Sequence, residues 1–175
     1  ILGGGPAGYS AAIRAVELGL DVTLIESRTK FGGTCLTEGC IPAKILNQVT
    51  GIIENAENAR NYGIIFNKPD YDLDAFHKWQ DGIIDKLSNG ISNLLKRHRV
   101  LTIEGHGRFI GRNEIHVKSS RTRIRFKNAV IATGSRIADF PEWYIPGIWP
   151  TAKAVKVPEI PGSMLIVLSL IHISE

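Results

Sequence analysis

The sequence predicts an α/β fold, and three observations support this prediction. A strand, a glycine-rich turn, a helix and a second strand follow one another over residues 1 to 26. Two long stretches with helical spacing of apolar residues come next, and a run of short strands separated by turn residues follows them. A parallel sheet covered by helices, with an antiparallel meander inserted, accounts for this order of elements.

The opening unit is a βαβ pattern. Ile1 and Leu2 end an apolar run, and the glycines between residues 3 and 8 form the turn. Apolar residues then recur at helical spacing until Gly19, a residue type that is common just past the last turn of a helix. The segment 22–25 predicts a short buried strand.

Two helical stretches follow. The segment from Thr34 to about Tyr62 has mostly helical spacing after a glycine-rich entry. A second long helix is predicted from Leu73 to about Arg99, with Asp72 as its N-cap, because an aspartate there can accept hydrogen bonds from the first free backbone N–H groups. Its apolar stripe consists of Leu73, Phe76, Trp79, Ile83, Leu87, Ile91, Leu94 and Leu95.

From residue 101 onward the pattern changes to short alternating strands. They are predicted at 101–104, 108–110, 114–117, 123–126 and 129–132, with Gly, Asn and Ser between them. We expect a small antiparallel meander that returns into a final buried strand, 129–132. Prolines then punctuate a connector.

The net charge of +4 and the pI of about 9.2 raise the question of nucleic acid. The basic residues concentrate at 96–99 and 121–127, and neither run matches a nucleic-acid-binding module. We therefore expect solvated positive surfaces and no nucleic-acid partner. No stretch reaches the roughly 18 to 20 apolar residues that span a bilayer, so no membrane association is expected. The chain starts within a predicted strand without an initiator Met, and we expect the true N-terminus to be missing.

The glycine-rich turn carries a dinucleotide fingerprint. Gly3, Gly5 and Gly8 complete GxGxxG between a strand and a helix, which would allow a tight turn, close backbone approach to a pyrophosphate and close helix packing. The helix N-terminus would offer free N–H groups to the phosphates. Glu26 closes the second strand 23 positions after Gly3 (26 − 3), where an acidic side chain can hold ribose hydroxyls. The sequence predicts an adenine dinucleotide site, and the loop alone does not distinguish FAD from NAD.

The only cysteines, Cys35 and Cys40, lie in the run GGTCLTEGCIPAK. A zinc site needs about four ligands, and two cysteines without a nearby histidine do not supply them, so no metal is expected. Two inert core thiols are a second interpretation. The third is a redox disulfide, favoured by a predicted helix N-terminus that would stabilise thiolate and by a loop too short for a structural staple to gain much.

Together these motifs carry a resemblance. ILGGGPAGYSAAIRAVELG, then TLIE and FGGTCLTEGCIPAK, resemble the flavoprotein disulfide reductase family over about residues 1 to 167. The LLK helix end, the GHG turn and IATGS are most similar to the dihydrolipoamide dehydrogenases. The resemblance implies a Rossmann-like FAD-binding domain, a ββα three-layer sandwich with the inserted meander.

The same resemblance implies roles for individual residues. Cys35 would be the interchange thiol that attacks the lipoyl disulfide, and Cys40 the charge-transfer thiol against the flavin. Glu26 would hold the adenosine ribose, and Lys44 would sit beside the reactive edge of the flavin. The full set of expected cofactor-binding residues is Gly3, Gly5, Gly8, Glu26, Gly33, Thr34, Cys35, Lys44, Gly107, Thr133, Gly134 and Ser135.

The implied reaction is oxidation of protein-bound dihydrolipoamide through the Cys35–Cys40 disulfide and FAD, with NAD⁺ reduced by hydride transfer. The sequence departs from the family where Thr37-Glu38 stand in place of Asn-Val, and where Ala43 stands in place of Ser. An inward-pointing Glu38 would disfavour thiolate, whereas on the outer helix face it would be solvated.

The expected domain boundaries are 1–150 for the FAD domain, 151–167 for a connector and first strand of a truncated NAD-binding domain, and 168–175 for a non-native tail. The tail lacks the glycines that a second fingerprint requires. The NAD-binding domain and the interface domain with its acid/base pair are therefore expected to be absent, and the fragment alone is expected to be inactive.

The resemblance also implies partners. They are the lipoyl domain of a 2-oxo acid dehydrogenase or glycine cleavage complex and a second copy in a homodimer, in the cytoplasm. Alternative interpretations are a mercuric or glutathione reductase-type enzyme, or a non-catalytic FAD-binding redox module. An ordinary NAD-dependent dehydrogenase would leave the two cysteines and Lys44 unexplained.

Overall fold

The structure, a computed structural model, describes residues 1–136 and 145–167. The helices are α1 (Pro6–Glu17), α2 (Gly33–Thr37), α3 (Cys40–Asn58), α4 (Leu73–Arg97) and α5 (Thr151–Ala154), with a 3-10 turn at Ala59–Tyr62. The strands are β1 (Thr23–Glu26), β2 (Leu101–Glu104), β3 (Gly107–Gly111), β4 (Glu114–Val117) and β5 (Thr122–Arg125). The predicted α/β class is confirmed.

A parallel sheet forms the centre of the fold. β1 pairs with β2 in parallel, with Thr23 opposite Leu101 and Glu26 opposite Glu104. On the other side of β1, Leu2 bridges to both Ile25 and Ile131 in parallel. The spatial order is therefore β2, β1, the chain start and the segment around Ile131, as a βαβ opening requires.

Two successive residues of β1 build two different cores, because side chains alternate between the faces of a strand. Leu24 is fully buried with Ala12 of α1 and Leu95 of α4. Ile25 packs on the opposite side with Ile115 and Val117 of β4. β3, β4 and β5 form an antiparallel sheet, so the layers are helices, parallel sheet and meander, as predicted.

The predicted meander was wrong in its first member. Residues 101–104 form a strand with the expected bounds, but β2 pairs in parallel with β1 instead of joining the antiparallel sheet. The segment 129–132 does pair with the chain start, since Leu2 N–H donates to the Val130 carbonyl at 2.9 Å. Its predicted burial was wrong: Ile131 is 67% exposed, because it lies at the edge of the parallel sheet.

Local signals placed the helix ends well. Asp72 caps α4 as predicted, its carboxylate accepting from the Ala75 N–H at 2.9 Å. The buried face of α4 differs from the predicted stripe, since Trp79, Leu87 and Leu94 are exposed. Its buried residues are Gln80, Ile84, Ser88 and Leu95.

The segment after residue 144 returns to α4. The Gln80 amide donates to the Val155 carbonyl at 3.2 Å, and the His77 ring nitrogen lies 2.8 Å from the Lys156 carbonyl oxygen. Gln80 is buried on α4 although it is polar, since its amide hydrogen bond holds the connector. The predicted tail, 168–175, lies outside the described residues. Within the described ranges, no helix combines the length and the apolar composition of a membrane-spanning helix.

Candidate functional site

Two glycines of the turn before α1 are required by the packing of the chain itself. Gly3 has a φ of +108°, and a Cβ built there would lie 2.1 Å from the Ala132 carbonyl oxygen. A Cβ on Gly8 would lie 1.7 Å from the Gly3 carbonyl oxygen. A side chain at either position would therefore collide with backbone, which fits the tight turn and the close helix packing predicted for them.

Gly5 differs from them. A Cβ built on Gly5 would meet only the Gly33 Cα at 3.7 Å, an ordinary contact distance. Gly5 is also the N-cap of α1 and has no side chain to cap the first turn. The N–H groups of Ala7 and Gly8 precede the first helical hydrogen bond, which Tyr9 donates to the Gly5 carbonyl. Open space and free donors thus lie together at this helix start, an arrangement suited to a phosphate.

Glu26 ties the end of β1 to the glycine turn. Its side chain is only 7% exposed, and one oxygen accepts from the Gly4 N–H at 2.6 Å. The other oxygen accepts from the Arg28 N–H at 2.9 Å and from the Ser27 hydroxyl at 3.2 Å. Since a carboxylate offers about four acceptor sites, these donors leave room for roughly one more.

A cleft of about 880 Å³ joins the turn, the strand end and the first cysteine. It is lined by residues 2, 3, 5–7, 25–28, 33–35, 105–107 and 132–136. Ten of the predicted cofactor residues lie in this lining: Gly3, Gly5, Glu26, Gly33, Thr34, Cys35, Gly107, Thr133, Gly134 and Ser135. The structure therefore brings together residues from both ends of the first 136 positions.

Three predicted site residues lie outside the lining. Gly8 faces the Gly3 carbonyl, while Cys40 and Lys44 lie one turn apart on α3 and so share one side of that helix. Sequence reasoning missed His106 and Arg136, which line the cleft. Each is a direct neighbour of a residue that was predicted, Gly107 or Ser135, and only this adjacency could have pointed to them.

The two cysteines sit at consecutive helices. Cys35 is the third residue of α2 and half-buried, whereas the more exposed Cys40 begins α3. Both are free thiols in this structure. The hydrogen bond with the Cys40 side chain raises the pKa of Cys35, and burial and the negative charge of Cys40 raise it further. A hydrogen bond from the Cys40 backbone N–H and the positive charge of Lys44 act in the opposite direction and lower it. The predicted effect of the helix N-terminus on the thiolate stays a prediction.

Among residues 1–136 and 145–167, no three His, Cys, Asp or Glu side chains group closely enough to hold a metal ion.

The Glu38 side chain is turned towards Arg28. Its Oε1 lies 3.3 Å from the Arg28 Nη1, and both side chains are about two-fifths exposed, at 38% and 42%. Of the two orientations considered from the sequence, the structure has the outward one, with an arginine as partner in addition to solvent.

Lys44 opposes the effects that raise the pKa of Cys35, because its positive charge favours the thiolate. We expect Lys44→Met to raise this pKa further, so that the thiolate fraction below the pKa falls and alkylation slows by about two- to fivefold. The rate of iodoacetamide labelling against pH measures this in a Cys40→Ser background, where Cys35 is the only thiol. Lys68→Met, on the exposed loop before α4, is the matched control. Superimposable pH profiles for Lys44→Met and its background would contradict the assignment.

Comparison with known proteins gives a consistent picture. The pyridine nucleotide-disulphide oxidoreductase family matches residues 1–166. The chain is 40% identical over 172 residues to a dihydrolipoyl dehydrogenase of Vibrio cholerae and 38% identical over 175 residues to one of Halobacterium salinarum. Each alignment covers 95% of this chain and 36% of the relative, so the chain spans about a third of the length of these curated relatives.

One solved structure extends the comparison to three dimensions. An HOCl-induced flavoprotein disulfide reductase from Escherichia coli superimposes with a TM-score of 0.70 at 25% identity. The superposition covers 92% of this chain and 34% of that protein.

Proposed function

The chain belongs to the pyridine nucleotide-disulphide oxidoreductase family, and from this premise we propose that it carries the FAD site and the redox-active cysteine pair of a dihydrolipoyl dehydrogenase. One observation carries the proposal. A single cleft is lined by the glycine turn, by Glu26 and by Cys35, so a dinucleotide bound to the turn and the strand end lies in the same cleft as a reactive sulfur.

The residues present fit FAD. Gly5 leaves open space beside the free N–H groups of α1, which suits a pyrophosphate, and Glu26 keeps an acceptor site for a ribose hydroxyl. We propose that the cofactor is held by the residues predicted from the sequence: Gly3, Gly5, Gly8, Glu26, Gly33, Thr34, Cys35, Lys44, Gly107, Thr133, Gly134 and Ser135. Gly8 would act indirectly, by allowing α1 to approach the turn.

The cysteines supply the dithiol chemistry. In the oxidised chain, a thiolate of dihydrolipoamide attacks the Cys35 sulfur, the Cys35–Cys40 bond breaks, and Cys40 leaves as a thiolate. The second substrate thiol then attacks its partner sulfur in the mixed disulfide, which releases lipoamide and the Cys35 thiol. The substrate loses two electrons and the cysteine pair gains them. FAD, when bound, supplies the acceptor for this electron pair.

The remaining parts of the proposal concern the acceptor and the partners. NAD⁺ is the proposed final acceptor, supported by the pyridine nucleotide in the name of the family. Lipoyl groups carried by a 2-oxo acid dehydrogenase or glycine cleavage complex are the proposed substrates, supported by the printed names of the relatives. A homodimer and a cytoplasmic location complete the proposal.

A second candidate has its own support. The structural neighbour is a disulfide reductase that is named for induction by HOCl and not for a lipoyl substrate. A reductase for another disulfide therefore competes with the dihydrolipoamide function.

The test is to load the purified chain with FAD, oxidise its cysteines and add dihydrolipoamide or reduced glutathione at matched thiol concentrations. We expect FAD to remain bound through gel filtration and dihydrolipoamide to return two thiols per chain. It should do so faster than glutathione, because its second thiol resolves the mixed disulfide within one molecule. Failure to retain FAD, or oxidised cysteines that dihydrolipoamide leaves intact, would refute the proposal; faster reduction by glutathione would favour the second candidate.

A further inference from the structure

The turn between the two cysteines is held by one side chain from another segment. The Arg28 Nη1 donates to the Thr37 Oγ1 at 2.9 Å and lies 3.3 Å from the Glu38 Oε1. Thr37 in turn donates to the Gly33 carbonyl at 3.1 Å. Thr37 ends α2 and Glu38 is its C-cap, so Arg28 binds the chain where it passes from Cys35 to Cys40.

The backbone of Arg28 forms a further hydrogen bond. Its N–H donates to Glu26 at 2.9 Å, and Glu26 is the buried carboxylate that also accepts from the glycine turn. Arg28 itself lines the cleft. One residue therefore connects the dinucleotide end of the site to the cysteine turn through two separate sets of hydrogen bonds.

The charges around the turn give this connection an electrostatic role. Glu38 lies between Cys35 and Cys40 in the sequence, and its carboxylate would disfavour thiolate at either cysteine if it were not turned outward and paired with Arg28. On α3, Lys44 supplies a positive charge that favours the Cys35 thiolate. On α4, Asp85 forms its ion pair with Lys30. Arg28 is thus the cation that pairs directly with Glu38.

We propose that Arg28 is a positioning residue for the Cys35–Cys40 pair, which fixes the turn between them through Thr37 and Glu38 and neutralises the Glu38 carboxylate. The inference rests on the proposed function, because it assigns Arg28 a role only in relation to a redox pair. Thr37 and Glu38 are two of the three positions, with Ala43, where this chain departs from the family pattern, and Arg28 is their shared partner.

The experiment measures the pH dependence of Cys35 alkylation by iodoacetamide in a Cys40→Ser background, for Arg28→Met, Glu38→Gln and the double variant. Arg28→Met leaves Glu38 unneutralised, so we expect the profile to move to higher pH and labelling to slow by about two- to fivefold. Glu38→Gln leaves the arginine unneutralised, so we expect labelling to be faster by a similar factor. The double variant should return to within about twofold of the background.

Arg14 and Glu17 provide the matched control, since they form an exposed ion pair on α1 and can receive the same substitutions without effect on the profile. If Arg28→Met does not fold, the comparison of Glu38→Gln with the Cys40→Ser background carries the test, and Glu38→Gln should still label faster. Equal profiles for these two variants would overturn the proposal. The proposed function fails separately, if the unsubstituted chain does not retain FAD or if dihydrolipoamide leaves its oxidised cysteines intact.

Discussion

Replacing Cys40 by serine is expected to abolish disulfide formation by this chain, and with it the capacity to oxidise dihydrolipoamide. The chain has only two cysteines, so a single substitution leaves Cys35 without an intramolecular partner. Dihydrolipoamide would then find no disulfide to attack, because Cys35 stays a thiol, and two thiols cannot join in a mixed disulfide without an oxidant. The expected loss is complete: thiol titration before and after reduction should return two thiols for the unsubstituted chain and none from an internal disulfide of the variant.

FAD retention separates this chemical effect from a structural one. Serine has nearly the size of cysteine, so we expect the Cys40→Ser chain to hold FAD about as well as the unsubstituted chain. In the unsubstituted chain, reduction should produce a long-wavelength absorbance beyond the flavin bands, which reports a thiolate against a flavin. The reduced Cys40→Ser chain should not show it. Ala43→Ser, a small change on the same helix that keeps both thiols, is the control and should keep both signals. A Cys40→Ser chain that still oxidises dihydrolipoamide would contradict the proposed role of the pair.

Replacing Gly8 by alanine is expected to disrupt the fold around the turn and to eliminate FAD binding. The added Cβ would lie 1.7 Å from the Gly3 carbonyl oxygen, and backbone on both sides of the contact has little freedom to move. Overpacking of this kind costs about 1 to 3 kcal/mol or more. Urea unfolding measures the loss of stability, and flavin fluorescence on titration measures binding.

Two further glycines make the comparison specific. Gly90 lies within α4, and a Cβ there meets nothing within 4 Å, so Gly90→Ala should stabilise the chain by about 0.5 to 1 kcal/mol through helix propensity. Gly5→Ala is accommodated by the protein, whose nearest atom would be 3.7 Å away, but it fills the space beside the free N–H groups. The Gly5→Ala chain should therefore keep its free energy of unfolding and bind FAD more weakly. Weakened folding in Gly5→Ala, or full FAD affinity, would contradict this division of roles.

Local chemistry explains which parts of the fold could be predicted. The N-cap at Asp72 and the end of the first helix near Gly19 depend on residues within a few positions, and both are confirmed. The pairing of β2 depends on β1, which lies far earlier in the chain. The spacing of apolar residues within 101–126 does not indicate this partner. The exposure of Ile131 likewise depends on its place at the sheet edge, since its composition alone is that of a buried strand.

The same division holds for the site. The glycine turn and the cysteine run are contiguous motifs, and one cleft is lined by the turn and by residues 33–35 of the cysteine run. Arg28 contacts Thr37 and Glu38 because the backbone between them brings the three side chains together. No rule of sequence spacing predicts this contact. The raised pKa of Cys35 has the same origin, since its first cause is the neighbouring Cys40 side chain.

The alternation along β1 constrains how this strand can evolve. Leu24 belongs to the helical core and Ile25 to the meander core, while Glu26 completes the strand and meets the Gly4 N–H. Because the side-chain period of a strand is two residues, an insertion or deletion of a single residue would exchange the two cores and turn the carboxylate from the cleft. Residue identity at positions 23–25 can drift among apolar and β-branched types, whereas the number of residues between the glycine turn and Glu26 can change only in the loop that precedes β1.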